Sequence, residues 1–278
     1  MNRLARLGHG LPPVPRLGIA TRGNTRLGAD EIHLAIERGV RYFNWCSKPD
    51  GLSAAVADLG NLREDIVLAA QLKARTADEA EREMDWILEH TNSRRLDVGT
   101  LYYVESEQEW RAITGRGGSW EALAGRRREG QLGMIGITSH QRTLAARWAR
   151  ELAADGRRRL DMLMVRYNAA HTGAETDVFP VASELGVPVV TFTGVRWRDL
   201  LRPTPQDPRG FRPPSAPDCY RFCMANPAVA VALAAPNGRA ELVADLRLLD
   251  SAGDPDGAWM AAMRAHGRRV HRHAREFW

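Results

Sequence analysis

Eight times along the chain, a short apolar run gives way to a longer stretch in which apolar residues recur every three or four positions. Runs such as Met162–Val165 and Val187–Val190 are apolar without alternation, the pattern of strands covered on both faces. The apolar runs lie at 17–21, 40–45, 65–72, 97–103, 132–139, 160–168, 187–193 and 229–235. The amphipathic stretches at 29–39, 53–59, 76–90, 120–129, 143–154, 175–185, 218–225 and 239–249 read as helices. Thr76 is placed as an N-cap; Gly39, Gly130 and Gly186 are placed as helix stops. Eight strand–helix units in about 250 residues specify the α/β class and a single (β/α)8 TIM barrel. The expected domain is one barrel over 16–250, with a C-terminal helix over 257–276 laid across it. A doubly wound open sheet is the weaker alternative. The turn after the first strand, Thr21-Arg22-Gly23-Asn24, is no dinucleotide-binding fingerprint.

Charge and cysteine content exclude several functions. There are 39 basic and 34 acidic residues, giving a net charge of +5, and only Lys48 and Lys73 are lysine. So strong an arginine bias, with abundant alanine, reflects coding composition. The arginine runs at 126–128 and 157–159 fall at helix ends, acidic residues are interspersed along the chain, and no basic–aromatic groove motif is present, so no nucleic-acid partner is expected. No apolar run has the length of a membrane span, so the reading is cytoplasmic with no membrane partner. Three cysteines make no disulfide framework; Cys219 and Cys223 are one helical turn apart but lack a partnering ligand pair, and no metal is expected. Six of the fifteen prolines fall in 203–217, a stiff excursion after the seventh strand.

Three segments carry a family resemblance. The helix, glycine turn and strand of 122–139, the strands in 165–168 and 186–193, and Gly39-Val-Arg-Tyr-Phe-Asn-Trp45 together resemble the aldo-keto reductase family over roughly residues 16–250. The resemblance implies NADP(H)-dependent reduction of carbonyls by a tyrosine, an aspartate–lysine pair and a histidine. In this chain the aspartate position is Asn44, the tyrosine position falls at Pro49 or Asp50, the lysine position is Gln71 and the histidine position is Tyr102. The joint change to Asn44 and Gln71 replaces an ion pair by two amides able to hydrogen-bond. It avoids the roughly 3–5 kcal/mol cost of leaving one buried charge unpaired. A neutral site cannot depress a tyrosine pKa as an ammonium does; Lys73, two residues on, is expected near the rim. By resemblance, Thr138 and Ser139 hold the nicotinamide carboxamide, Phe192 stacks on the ring with Thr193 following, and Arg239 stands at a helix N-terminus suited to phosphate. Met164 replaces the family's glutamine and cannot donate.

Polar residues at strand ends are the remaining candidates in any barrel. His140 is either a rim acid–base or a solvated loop histidine, and His171 has the same standing. Tyr102 and Tyr103 should face opposite sides by alternation, with Tyr102 in the lumen as proton donor or hydrogen-bonded core residue. Arg166 either clamps an acidic substrate or forms a structural ion pair. Asp50 is either a replacement acid or a helix cap, and Cys46 either a reactive or an inert thiol. Trp45 and Asn168 complete the expected substrate contacts. The expected function is an NAD(P)-linked oxidoreductase acting on a small organic carbonyl or alcohol. The alternatives are a non-redox enzyme using His140, His171, Asp50 or Glu105, and an inactive nucleotide- or partner-binding relative. The sequence leaves the oligomeric state open.

Overall fold

The computed structural model describes residues 4–8, 10–21, 25–156, 160–250 and 255–273. Arg22-Gly23-Asn24 of the first turn, the 157–159 arginine run and the end of the C-terminal helix beyond 273 lie outside the described residues. A short antiparallel hairpin, β1 (Leu4–Ala5) and β2 (Val14–Pro15), precedes the barrel. The barrel strands are β3 (Leu17–Ala20), β4 (Tyr42–Trp45), β5 (Val67–Leu72), β6 (Leu96–Leu101), β7 (Leu132–Ser139), β8 (Met162–Arg166), β9 (Val189–Phe192) and β10 (Val229–Ala234). Each pairs in parallel with the next, and β10 returns to β3, closing an eight-stranded barrel. The open-sheet alternative is thereby excluded.

The surrounding helices are α1 (Ala29–Glu37), α2 (Gly51–Asp58), α3 (Ala77–His90), α4 (Glu107–Thr114), α5 (Ser119–Arg128), α6 (Arg142–Asp155), α7 (Ala174–Asp177), α8 (Phe179–Leu185), α9 (Ala216–Ala225), α10 (Arg239–Asp250) and α11 (Gly257–His273). Thr76 caps α3 as expected: its hydroxyl accepts from Glu79 N while Glu79 accepts from Thr76 N. The single helix expected over 175–185 is two, α7 and α8. Pro180 in the first turn of α8 has no N–H to donate and crowds the turn before it. Helix α4 was not foreseen. Its Trp110 stacks on Trp148 of α6 (5.0 Å) and meets the edge of Trp120 of α5 (6.2 Å), so three tryptophans fill one inter-helix seam.

Strand alternation sorts side chains into two cores. Phe43, Trp45, Leu68, Ile135, Ile137 and Val165 face the helices. Tyr42, Val67, Val98, Met134, Met162 and Val231 fill the lumen, joined from below by Leu7 and Val14 beside the hairpin. Burying such a side chain contributes roughly 1.5–3 kcal/mol. Gly18 is required by this packing: a Cβ there would lie 2.8 Å from Val231 Cγ1. Buried acids brace the lower end. Asp97 accepts from Leu68 N (2.9 Å) and pairs with Arg63 (2.8 Å) and Arg95 (2.9 Å); Asp161 accepts from Ile135 N (2.9 Å) and pairs with Arg127.

Candidate active site

The same alternation carries Asn44, Gln71, Thr138, Arg166 and Phe192 to the top of the lumen face. A cavity of about 460 Å³ opens at this end, where barrel enzymes work. Asn44, Gln71, Tyr102, Thr138, Met164 and Phe192 line it, with Thr193 at its edge. Lys48 and Lys73, the only lysines of the chain, stand at its rim. Of the seven non-glycine residues with positive φ among the described residues, all but Asn92 lie on loops at this mouth: Ser47, Tyr103, Thr193, Arg196, Trp197 and Arg198. Backbone strain of about 1–3 kcal/mol at each is concentrated where function is expected.

Asn44 and Gln71 share the cavity but do not bond to each other. Neither side-chain amide has a hydrogen-bond partner among the described residues, and Asn44 Oδ1 is fully buried. This corrects the expectation of an amide–amide bond: β4–β5 register sets Asn44 opposite Ala69, two residues short of Gln71. The Thr138 hydroxyl is likewise buried without a partner. An unsatisfied buried polar atom costs about 1–3 kcal/mol, and Asn44 Oδ1 and Thr138 Oγ1 are two such atoms on this wall.

Tyr102 and Tyr103 do not point to opposite faces. Strand β6 ends at Leu101, Tyr103 turns to φ 48°, and the two rings stack at 3.9 Å, both lining the cavity. His140 sits beside them, its ring edge-on to Tyr103 (4.7 Å) and to Phe192 (5.3 Å). Glu105 Oε1 accepts from His140 N (2.9 Å) and meets Nδ1 at 3.1 Å, fixing the ring.

Several expected site residues are placed elsewhere. Trp45 faces the helices, fully buried, stacked on Trp86 at 5.4 Å and donating from its indole N–H to Lys48 O. Asp50 caps α2, accepting from Leu52 N (3.0 Å) and Ser53 N (3.1 Å), and does not line the cavity. Ser139, one residue out of phase with Thr138, accepts from Gln141 N (2.9 Å). Asn168 spends its amide on the backbone, donating to Thr193 O (2.7 Å) and accepting from Ala170 N and His171 N (2.9 Å each). Arg239 turns to Glu31 (3.3 Å). The same end holds Glu241, which accepts from Asn237 N (2.9 Å) and pairs with Arg198 (2.7 Å). His171 lies behind the wall, receiving a hydrogen bond from Arg196. Burial and the neighbouring guanidiniums push it down to about 3.

The thiols divide cleanly. Cys46 lines the cavity and donates to Thr21 O. Cys219 and Cys223 are fully buried on α9; burial raises both, Cys223 to about 12, so neither is a reactive thiolate. Among the described residues no helix is long and apolar enough to cross a membrane. Lys73 stands at the cavity as expected; Lys48, to which the sequence assigned no role in the site, joins it there. Their signal was their rarity in a chain that elsewhere uses arginine.

No family model matches the chain, and no curated protein is similar to it in sequence. Solved structures are. An aldo-keto reductase from Klebsiella pneumoniae in complex with NADPH superposes with a TM-score of 0.74 at 17% identity, covering 96% of both chains. The holo form of an aldo-keto reductase from Bacillus halodurans gives 0.74 at 18% identity over 96% of each. A putative 2,5-diketo-D-gluconic acid reductase B gives 0.69 at 19% identity, over 95% of this chain and 91% of that one. This chain therefore folds as the aldo-keto reductases do: a closed (β/α)8 barrel ending in a C-terminal helix.

Proposed function

We propose that the protein is a nicotinamide-dependent oxidoreductase acting on a small carbonyl compound or the corresponding alcohol. One observation carries the reading: the Phe192 ring, the unpartnered Thr138 hydroxyl and Tyr102 line a single cavity at the C-terminal mouth of an aldo-keto reductase barrel. The residues at the nicotinamide end fit the cofactor. Thr138 offers an unused hydrogen bond to a carboxamide, and Phe192 offers an aromatic face. The cofactor, when bound, supplies or accepts hydride. The far end fits a 2′-phosphate less well, since Arg198 and Arg239 are each already paired with a carboxylate.

The protein's own residues do the rest. Tyr102 is the proton donor to the substrate oxygen, or its hydrogen-bonding anchor. Asn44 and Gln71 orient that oxygen with neutral amides where the resemblance implies an ion pair. Lys73 lines the same cavity two residues beyond Gln71, the position where the resemblance implies a lysine.

A second reading has its own observation. His140, held by Glu105 at 3.1 Å against the Phe192 ring, is arranged as an oriented general base for proton transfer or isomerisation without a cofactor. Titration of the full chain with NADPH and NADH, followed by tryptophan fluorescence and calorimetry, separates the two. Saturable binding supports the oxidoreductase; no binding at millimolar cofactor rejects it and leaves the His140 reading.

A further inference from the structure

Across the lumen from Asn44 and Gln71, and on the strand next to Thr138, the mouth of the barrel holds buried arginines. Arg166 ends β8, two residues beyond Met164, which lines the cavity, and it pairs in register with Phe192, which also lines it. Its side chain therefore starts on the lumen face level with Phe192, set back from the cavity, whose lining does not include it. Arg166 is only 9% exposed, and its Nε and Nη1 atoms are fully buried without a hydrogen-bond partner. No carboxylate among the described residues forms an ion pair with it.

Every nearby carboxylate is committed to another group. Asp177 is held by Arg142 Nε at 3.0 Å. Glu105 is spent on His140. Asp199 stands 3.7 Å from Arg196 Nε, outside hydrogen-bond reach, and that nitrogen is also buried without a hydrogen bond. Arg196, 3% exposed, donates instead to His171 Nε2, which fixes His171 as a neutral acceptor whose other face meets His271 at 5.3 Å. Arg142 is seated close by because residue 173 is glycine; a Cβ there would collide with the guanidinium. Burial first, then the charges of Arg142 and Arg196, work against the charge on Arg166, while the more distant Glu105 carboxylate favours it. A folded chain does not gain stability by burying a guanidinium beside two others when no carboxylate among the described residues bonds to it.

We propose that Arg166, backed by Arg196 and Arg142, is the receptor for an oxyanion, a carboxylate or phosphate group carried by the substrate. This rests on the reading of the cavity as a substrate site and names the substrate class: an anionic carbonyl compound or alcohol. The substrate's charged end passes Phe192 to reach Arg166, which is set back from the cavity lining, and its reacting carbon stays toward Tyr102. Arginine suits the task because its planar fork matches carboxylate and phosphate and keeps its charge when buried.

The test is calorimetry and thermal unfolding of the full chain with malonate, with inorganic phosphate, and with malonamide as the uncharged control. The wild type is expected to bind one or both anions at one site per chain, with a rise in Tm and no response to malonamide. Malonate alone marks a carboxylate substrate and phosphate alone a phosphate ester; both together mark a general oxyanion receptor. Arg166→Met should weaken anion binding by about 10- to 100-fold, the range of a hydrogen bond to a charged group, and should abolish the Tm response. Should that variant fail to fold, Arg166→Lys, which keeps charge but not the fork, should weaken binding about tenfold. Absence of anion binding in the wild type, or undiminished binding in the folded variant, overturns the proposal. If anions bind but neither nicotinamide cofactor does, the receptor stands and the oxidoreductase reading falls; if cofactor binds and anions do not, the receptor alone falls.

Discussion

Two regions of one barrel mouth carry different chemistry. On the β4–β5–β7 side stand Asn44, Gln71 and Thr138: neutral groups, two of them with buried atoms lacking a hydrogen bond. On the β8–β9 side stand Arg166 and Arg196, with Arg142 behind them: charged groups, again with buried atoms lacking a hydrogen bond. The first region is where the resembled family keeps an ion pair; in the second Arg142 pairs with Asp177 and Arg196 stands 3.7 Å from Asp199, while Arg166 has no ion pair among the described residues. Removing the ion pair from one wall costs little when both members change together. Concentrating guanidiniums on the other wall is costly unless an anion binds there. The contrast points to a site in which the neutral wall orients a reacting oxygen and the cationic wall grips the far end of the same substrate.

Four substitutions and one cofactor comparison can break or sharpen that contrast. The largest effect is expected at the neutral wall. If Tyr102 is the proton donor, Tyr102→Phe lowers kcat/KM for a carbonyl substrate by about 10²- to 10³-fold; steady-state kinetics showing unchanged turnover removes it from the mechanism. Next comes the cationic wall. Arg166→Met, by deleting an unpartnered buried charge, should raise the stability of the ligand-free protein by ~1–3 kcal/mol in denaturant unfolding. A loss of stability there means that Arg166 has a structural partner after all.

The third effect is a pH dependence. His171 is held at about 3 in the fold, against about 6.5 for an ordinary histidine. The unfolded chain then binds the extra proton first. Stability is full above pH 6.5 and falls as pH drops toward 3, with a slope from this group of at most about 1.4 kcal/mol per pH unit, reduced by its partial exposure. His171→Gln should flatten the curve between those limits; an unchanged slope denies the burial of a neutral ring. Fourth, Asp50→Ala should cost about 1 kcal/mol as a lost cap and leave NADPH affinity untouched. A change in affinity would return Asp50 to the site. The smallest effect is cofactor preference. With Arg198 and Arg239 already paired, NADPH and NADH affinities should differ by less than about tenfold, or ~1.4 kcal/mol, as read by parallel titrations.

The barrel was legible because its signal is collective. Doubly buried strands leave apolar runs, and eight of them in order admit few folds; β7 (Leu132–Ser139) is found at its expected limits. The site was legible only where a strand kept its phase. Asn44, Gln71, Thr138 and Phe192 reach the cavity because they stand in lumen phase on β4, β5, β7 and β9. Ser139 and Trp45, one residue out of phase, face the helices. Phase also misled at Tyr103, where the strand had already ended and positive φ swung the ring back into the cavity. Asn168 and Asp50 looked chemical from their residue types, but their side chains satisfy backbone N–H groups that a single sequence does not reveal as needy. The isolation of Arg166 depends on which distant carboxylates are committed elsewhere, a fact of tertiary structure alone.

Crystals grown with NADP+ and malonate would examine both walls at once. The expected result is a nicotinamide ring against Phe192, its carboxamide on Thr138 Oγ1, and a malonate carboxylate on Arg166. A malonate lodged only on exposed arginines, with Arg166 still unpartnered and no cofactor ring at Phe192, would contradict a mouth divided between a neutral catalytic wall and a cationic substrate wall.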